Sequence, residues 1–427
     1  MPSLRHRVPQ VAYILVIVMV VVIPVTGVFD LLETFQAGKG LAYLEGVRAG
    51  GERSGVGLLY VREALLLLLT GVLFLWGCVV GQPLPRLPGI GFLSVCLGIS
   101  FAVSIGLHPR IVLAAGVRQL MYLVLVYALY LISRESDRTE AVFVSAAAGV
   151  AMVEFVVASI QVVFFGAVAG ATLLGVRVYG TFNNPNTLAA FFAASTFFVL
   201  FMGRLSGRLR GVVVTLGMAG QLMAGSRTGV VATVFVLGAY LWRRSRCLET
   251  RGMVVVGAIL LMPFLYFGLS ALSGRENVAA PLEDPRIQIF AEQIGAMRPV
   301  ELLFGRGLGV GTNTLYSLGG NREDVVHLLA ILDSTITALV VQIGFIGLMA
   351  FLLFLAALSA RCGFAGWILF GLVCVVGINV NWLEFYPINL MTTAAYGMLW
   401  AKADRLRVEG ATRIGRPRRL KFSHAQG

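Results

Sequence analysis

The sequence predicts an all-α fold, a polytopic membrane helix bundle with about twelve transmembrane helices and one long, partly helical extracytoplasmic loop. Hydrophobic residues make up 58% of the 427 residues and charged residues 13%, and the mean hydropathy is +0.86. A soluble globular protein needs a more charged surface than this. Apolar runs of about 18 or more residues recur along the chain, which is enough to cross the hydrocarbon core at ~1.5 Å per residue. The long interruption between them is the polar segment 273–333.

The apolar runs give the predicted spans in chain order. They are centred on residues 11–28, 58–80, 89–107, 111–133, 141–165, 187–202, 211–225, 228–242, 253–272, 334–358, 364–381 and 387–402. The chain therefore divides into transmembrane residues 1–272, the extracytoplasmic loop 273–333, transmembrane residues 334–402 and a basic tail at 403–427.

The charge distribution predicts the orientation. The net charge is +13, and most of the 34 Lys and Arg residues lie in inner loops and tails if the N-terminus is cytoplasmic. This bias is the positive-inside rule, and it predicts a multi-pass protein of the cytoplasmic (inner) membrane with both termini in the cytoplasm. We expect the basic tail to contact anionic lipid rather than nucleic acid. No CxxC, Cys/His or HExxH spacing is present, so no metal site is predicted.

The loop 273–333 has an internal order that indicates function rather than disorder. A helix is predicted to begin at Asp284 and Pro285 and to stop at Pro299. Its apolar face is Ile287, Phe290, Ile294 and Met297. A glycine-rich turn, residues 305–311, follows. We expect this loop to carry the chemistry.

Among the arginines that the predicted topology places outside, against the positive-inside bias, the candidates for function are Arg177, Arg227, Arg286 and Arg306. Positive charges beside the N-terminal ends of helices suit a strongly anionic ligand such as phosphate or pyrophosphate. The alternative is that these arginines pair with lipid phosphates or with carboxylates of the outer loops.

Three outward-facing helix starts also have capping residues. Asn184 can cap the sixth span with Pro185 in its first position, and Ser226 can cap the eighth. Asp333 or Ser334 can cap the tenth. All three helices would present their positive ends to the outer surface.

Two charges lie inside predicted spans, Arg118 in the fourth and Glu154 in the fifth. Charges within a membrane are costly and usually face a cavity or each other. Two interpretations are open: a buried Arg118–Glu154 pair, or an Arg118 that lines an outer cavity and contacts the same anion as the loop arginines.

The chain resembles the O-antigen polymerase and O-antigen ligase family of polytopic membrane glycosyltransferases. Four signatures in order carry the resemblance: Arg177 followed by GTFNNPNTLAAF (180–191), LMAGSRTG (222–229), RIQIFAEQIGAMRPVELLFGRGLGVG (286–311) and DSTITALVVQIGFIGL (333–348). They cover residues 177–348, whereas the first five spans match only in hydropathy and number.

The resemblance implies inverting, metal-independent glycosyl transfer without a cofactor on the outer face of the membrane. The donor would be a glycan on a polyprenyl pyrophosphate such as undecaprenyl pyrophosphate, and the acceptor a sugar hydroxyl. Membrane lipid and other polysaccharide-assembly proteins would be partners. Ligases of this family have a histidine-asparagine pair where this chain has Asp333 and Ser334, which favours a polymerase of cell-surface polysaccharide. A ligase, and a polytopic transporter or flippase, are the alternatives.

Fixed cations that hold a departing pyrophosphate would lower the barrier to its release. The resemblance assigns this clamp to Arg177, Arg227 and Arg286, with Arg306 as a fourth member, and Arg118 is the intramembrane candidate. Asp333, by motif position, and His327, by an unperturbed pKa near ~6.5, compete as general base. Asp333 as a helix cap and His327 as a packing residue are the structural alternatives.

Overall fold

The computed structural model is helical in every element that it defines. It describes residues 14–15, 18, 64–69, 71–72, 89–135, 137–165, 178–182, 184–203, 205–245, 247, 249, 251–253, 257, 285–312, 315, 332 and 334–414. No β-strand occurs among these residues. The helices are α1 (Ile90–Leu107), α2 (Arg110–Glu135), α3 (Asp137–Phe165), α4 (Pro185–Phe197, continued by a π-helical turn, Phe198–Met202), α5 (Gly207–Ala224), α6 (Arg227–Arg244), α7 (Pro285–Gly295), α8 (Pro299–Phe304), α9 (Thr335–Cys362), α10 (Phe364–Gly377) and α11 (Ile388–Ile414).

The described helices confirm the all-α class, and the length and composition of several of them fit a membrane protein. Five of them, α1, α2, α3, α4 with its π-helical turn, and α9, are long and apolar enough to cross a membrane, and α10 is apolar but shorter. Helices α5, α6 and α11 also coincide with predicted spans. The predicted spans 11–28, 58–80 and 253–272 lie mostly outside the described residues, so the total of about twelve stays a prediction.

Helix α4 is the centre of the described bundle. Every residue of Pro185–Phe197 is buried, and α3, α5, α6, α10 and α11 surround it. A Cβ atom at Gly229 of α6 would lie 2.5 Å from Ala189 Cβ, and one at Gly220 of α5 would lie 2.3 Å from the Phe192 ring. Such small residues let helices approach closely where packing, rather than the hydrophobic effect, drives their association.

We call the end of the bundle at which α4, α6 and α9 begin the outer end, after the predicted topology, and the opposite end the inner end. Polar contacts join three helices at the inner end. Lys402 Nζ of α11 lies 2.8 Å from Glu140 Oε1 at the start of α3. The Tyr130 hydroxyl near the end of α2 donates to Asp404 Oδ2 at 2.9 Å. These contacts place the end of α2 and the start of α3 beside the same part of α11.

The loop helix predicted between Pro285 and Pro299 ends before Pro299, and a second helix begins at that proline. Helix α7 ends at Gly295, and Pro299 is the first residue of α8 rather than a stop signal. Proline suits the first position of a helix because that position needs no N–H donor. Met297, between the two helices, is buried in a small apolar cluster with Val112 of α2. Of the predicted apolar face, Ile294 and Met297 pack in this cluster, and Met297 is not helical.

The glycine-rich segment, residues 305–311, packs against α1, α2 and α9. Helix α9 is broken at Gly344, whose φ of 72° and ψ of 178° are not helical. Beside this break Arg306 N donates a hydrogen bond to Val341 O at 2.7 Å. Gly307 N donates one to Gln342 O at 3.2 Å. The loop thus supplies donors to helix carbonyls at the interruption, which satisfies polar backbone inside an apolar bundle.

Close approach to α2 fixes the depth of this segment. Gly309 has a φ of +90°, and a Cβ atom there would lie 1.9 Å from Val112 O. From the other side, Ser104 Oγ of α1 donates to Leu308 O at 3.0 Å. Only glycine permits both this backbone conformation and this contact. The segment is therefore built into the helices rather than suspended above them.

Candidate functional site

The three predicted caps at the outer end are present. Asn184 caps α4 and Pro185 occupies its first position, Ser226 caps α6, and Ser334 caps α9. In each case the side-chain oxygen accepts a hydrogen bond from an N–H of the first helical turn. Of the two cap candidates for α9, Ser334 is the one the structure uses. The partially positive ends of these helices lie together at the outer end.

The turn between α10 and α11, residues 378–387, joins two of these helix starts. Asn379 Nδ2 donates to Thr228 Oγ1, beside Arg227 in the first turn of α6. Thr335 Oγ1, the first residue of α9, donates to Val380 O at 2.8 Å. The N-termini of α6 and α9 consequently rest on one turn.

The same turn contacts the helix that carries the intramembrane arginine. The ring of Tyr386 lies 6.4 Å, centroid to centroid, from that of Tyr122 on α2. Tyr122 lies one helical turn after Arg118, on the same face. Arg118 is half-buried. The 378–387 turn therefore contacts all three segments, the one with Arg118, the one with Arg227 and the one with Ser334.

The turn after Arg177, Val178–Phe182, is held by two buried side chains of α3. Glu154 accepts hydrogen bonds from Thr181 N, at 2.9 Å, and from the Thr181 hydroxyl. Gln161 Oε1 accepts two successive backbone N–H groups of the turn at 3.0 and 2.9 Å. A carboxylate with several donors is a strong anchor for a loop.

These contacts correct one sequence interpretation. Glu154 is fully buried, its carboxylate binds Thr181, and the ion pairs between described residues do not include one from Arg118 to Glu154. The intramembrane acid instead anchors the turn that follows Arg177. The other interpretation, in which Arg118 lines an outer cavity, stays a prediction.

The segments of the first two signatures also touch. Val178 N donates to Met223 O near the end of α5, at 3.3 Å. Met223 is followed by Gly225, which ends α5 with a φ of 62°, and then by the α6 cap. The chain next to Arg177 is thus bound to the chain that leads into Arg227.

Arg306 is engaged by its own loop. Its Nη2 donates to Ala296 O at 2.6 Å, its Nε lies 3.3 Å from Glu301 Oε2, and its Nη1 lies 3.5 Å from Gln293 Oε1. Arg298 N also donates to Glu301 at 3.0 Å. Burial of Glu301 opposes its charged form, but these hydrogen bonds outweigh that effect and lower its pKa. Arg306 therefore joins α7 to α8, and this structural role accounts for its position.

Four of the predicted site residues are not described in full. Arg177, His327 and Asp333 lie outside the described residues, and Arg286 is described only as backbone in the first turn of α7. Asp333 adjoins the Ser334 cap in the chain, and Arg177 adjoins the anchored turn.

The polar residues of the 378–387 turn are not among the residues predicted from the sequence, in which this turn is only a connection between two spans. Asn381 is fully buried and Glu384 is nearly so, and Asn381 Nδ2 lies 3.4 Å from Glu384 Oε2. A signal is present in the sequence, because three polar residues, Asn379, Asn381 and Glu384, interrupt an apolar stretch at the outer end. Two amides and a carboxylate at this depth can orient hydroxyl groups or cations.

Chemically, the outer end combines helix N-termini and arginines with a carboxylate. The helix N-termini and arginines favour binding of a multiply charged anion. The carboxylate can accept a proton or orient a hydroxyl group. Comparison with known proteins adds no family: no protein-family model matches the sequence, and no curated protein matches it.

Proposed function

We propose that the protein is a membrane glycosyltransferase that polymerises polyprenyl-pyrophosphate-linked oligosaccharide units into a cell-surface polysaccharide on the outer face of the cytoplasmic membrane. One observation carries the proposal. The segments next to Arg177, Arg227 and Asp333, and the helix of Arg118, are linked by contacts at the outer end of the bundle. Described segments that are far apart in sequence, each next to a candidate residue, are therefore in contact with one another.

This arrangement suits the departure of a pyrophosphate. Cleavage of a sugar–pyrophosphate bond places growing negative charge on the leaving group, and preorganised cations stabilise that charge. Arginine binds phosphate oxygens through a planar fork and stays charged at every physiological pH. The starts of α4, α6 and α9 add partial positive charge in the same region.

In this proposal Arg177, Arg227 and Arg286 hold the pyrophosphate, and Arg118 contacts it from the bundle. Arg306 supports the loop through α7 and α8. Asp333 and His327 compete for deprotonation of the acceptor hydroxyl, whose oxygen then attacks the anomeric carbon and displaces the pyrophosphate with inversion.

The proposal is tested in a host strain from which the gene has been deleted. Arg177→Ala, Arg227→Ala and Arg286→Ala are each expected to abolish glycan chain growth while the tagged protein reaches the membrane in normal amounts. Arg208→Gln is the matched control, since this exposed arginine begins α5 at the inner end. The measurement is the length distribution of the surface glycan on a gel.

The product separates the candidate functions. Single repeat units left uncoupled support a polymerase. Full-length polymer stranded on the carrier lipid indicates a ligase, and repeat units trapped on the cytoplasmic side indicate a flippase. Normal polymer in all three alanine variants would contradict the proposed clamp.

A further inference from the structure

Two guanidinium groups meet at one hydroxyl at the inner end of the bundle. Arg210 Nη1, in the first turn of α5, donates to the Tyr240 hydroxyl at 3.0 Å. Arg244 Nη1, the last residue of α6, donates to the same oxygen at 3.2 Å. Because both bonds end on one oxygen, two positive charges are held within a few ångströms of each other.

No carboxylate in the described part of the chain pairs with either arginine. Arg210 Nη2 approaches only the carbonyl oxygens of Gly203, at 3.5 Å, and Leu205, at 3.3 Å. Neutral acceptors orient the guanidinium groups but do not cancel their charge. Like charges repel, so this juxtaposition indicates an anion as the further partner.

The surroundings are those of a membrane interface. The Phe201 ring lies 6.1 Å from that of Tyr240 and 6.3 Å from that of Phe364. The Arg243 guanidinium lies 5.8 Å above the Phe364 ring. Phe364 and Leu241 are 41% and 49% exposed, which leaves apolar surface beside the charged groups. Aromatic residues of this kind concentrate where headgroups meet acyl chains.

We propose that Arg210, Tyr240 and Arg244 form a binding site for the phosphate of an anionic lipid headgroup from the inner leaflet. The two guanidinium groups would donate to the phosphate oxygens, and the acyl chains would lie over Phe364 and Leu241. The lipid phosphate supplies the negative charge that the described protein residues lack. This site lies at the end of the bundle opposite the proposed transferase site and does not depend on that function.

The shared orientation of the arginines distinguishes this site from the general attraction of basic loops to anionic lipid. Arg208 lies two residues before Arg210 and carries the same charge, yet it is exposed and has no contact with Tyr240. A diffuse electrostatic attraction would depend on both residues equally, whereas a built site would depend on Arg210 and Arg244.

The test is a titration of the purified full-length protein in neutral detergent, followed by native mass spectrometry. The probes are dioleoylphosphatidylglycerol, dioleoylphosphatidylcholine and inorganic phosphate. We expect the wild type to retain phosphatidylglycerol in preference to phosphatidylcholine. Arg244→Gln should bind phosphatidylglycerol about ten-fold more weakly, the effect of losing one charged hydrogen bond. Arg208→Gln should bind it as the wild type does.

Arg244 is chosen because it is exposed and its Nη1 bond is to Tyr240, so its replacement leaves the helices packed. Displacement of phosphatidylglycerol by inorganic phosphate would support recognition of the phosphate group itself. Binding of inorganic phosphate with no preference for phosphatidylglycerol would overturn the lipid assignment in favour of a soluble phosphate. Wild-type affinity in Arg244→Gln, or an equal loss in Arg208→Gln, would overturn the site.

Discussion

The turn Val178–Phe182 and the glycine-rich segment 305–311 are both fixed to the helix bundle, but by different means. The turn is held by buried side chains, since Glu154 and Gln161 of α3 accept its N–H groups. The segment 305–311 is held by backbone contacts, with its N–H groups on carbonyls beside the break in α9 and with Gly305 against α9, Gly307 against α1 and Gly309 against α2.

The two attachments differ in the substitutions that they tolerate. A side-chain anchor can lose one acceptor and keep the others, so its failure is graded. A backbone contact made through glycine has no spare volume, so any added atom displaces the whole segment. The first arrangement sets the direction in which the chain leaves Arg177, and the second sets how deeply the loop enters the bundle.

The largest effect is expected from Gly309→Ala. The new Cβ atom would lie 1.9 Å from Val112 O, at a φ of +90° that alanine rarely adopts. We expect a loss of about 4 kcal/mol or more in stability, or failure to fold, because the nearest atoms are the α2 backbone at Val112 and Gly116, which cannot move aside as a flexible side chain can. Size-exclusion profile and Tm in detergent provide the measurement.

Gly295→Ala is the control for that variant. A Cβ atom at Gly295, at the end of α7 in the same loop, meets nothing within 4 Å. Its Tm should equal that of the wild type. A Gly309→Ala protein of normal Tm would show that the segment is not held by close backbone contact.

A smaller effect is expected from Glu154→Ala. The change leaves the N–H and hydroxyl of Thr181 buried without their acceptor, which should cost about 3 kcal/mol. Glu154→Gln keeps an acceptor oxygen and should lose about half as much. Thermal unfolding checks both, with Ser159→Ala on the same helix as control, because that hydroxyl bonds only within α3. Equal stability of Glu154→Ala and the wild type would remove the proposed anchor.

The smallest effect is expected from Glu301, which joins α8 to Arg306 in the glycine-rich segment. Its folded pKa is lowered from 4.5, so its contribution is fully present above pH 4.5 and is lost as the pH falls through the folded value. The pair is partly exposed, so the contribution should be below about 1 kcal/mol. The Tm of Glu301→Gln should therefore depend less on pH below 4.5 than that of the wild type. Parallel profiles would contradict this.

Local signals predicted the helix starts well, because Asn184, Ser226 and Ser334 cap through contacts two or three residues away. The break at Gly344 was not predictable in the same way. A glycine within an apolar run does not reveal that its helix is interrupted, since the donors come from the distant Arg306 segment.

The partner of Glu154 could not be predicted from the sequence either. An acid inside a predicted span indicates a charged partner, and Arg118 is the other charge that lies inside a predicted span. The structure satisfies the carboxylate with an N–H and a hydroxyl of Thr181, groups that occur throughout the chain. Only the folded arrangement of α3 against the Val178–Phe182 turn selects that residue.

The central claim is that arginines at the outer end hold a diphosphate. Its most direct test is equilibrium binding of undecaprenyl pyrophosphate to the purified protein, with excess phosphatidylglycerol present to occupy the inner surface. We predict that Arg177→Ala and Arg227→Ala each weaken binding about ten-fold or more, while Arg208→Gln binds as the wild type does. Equal affinity in all four proteins would contradict the account.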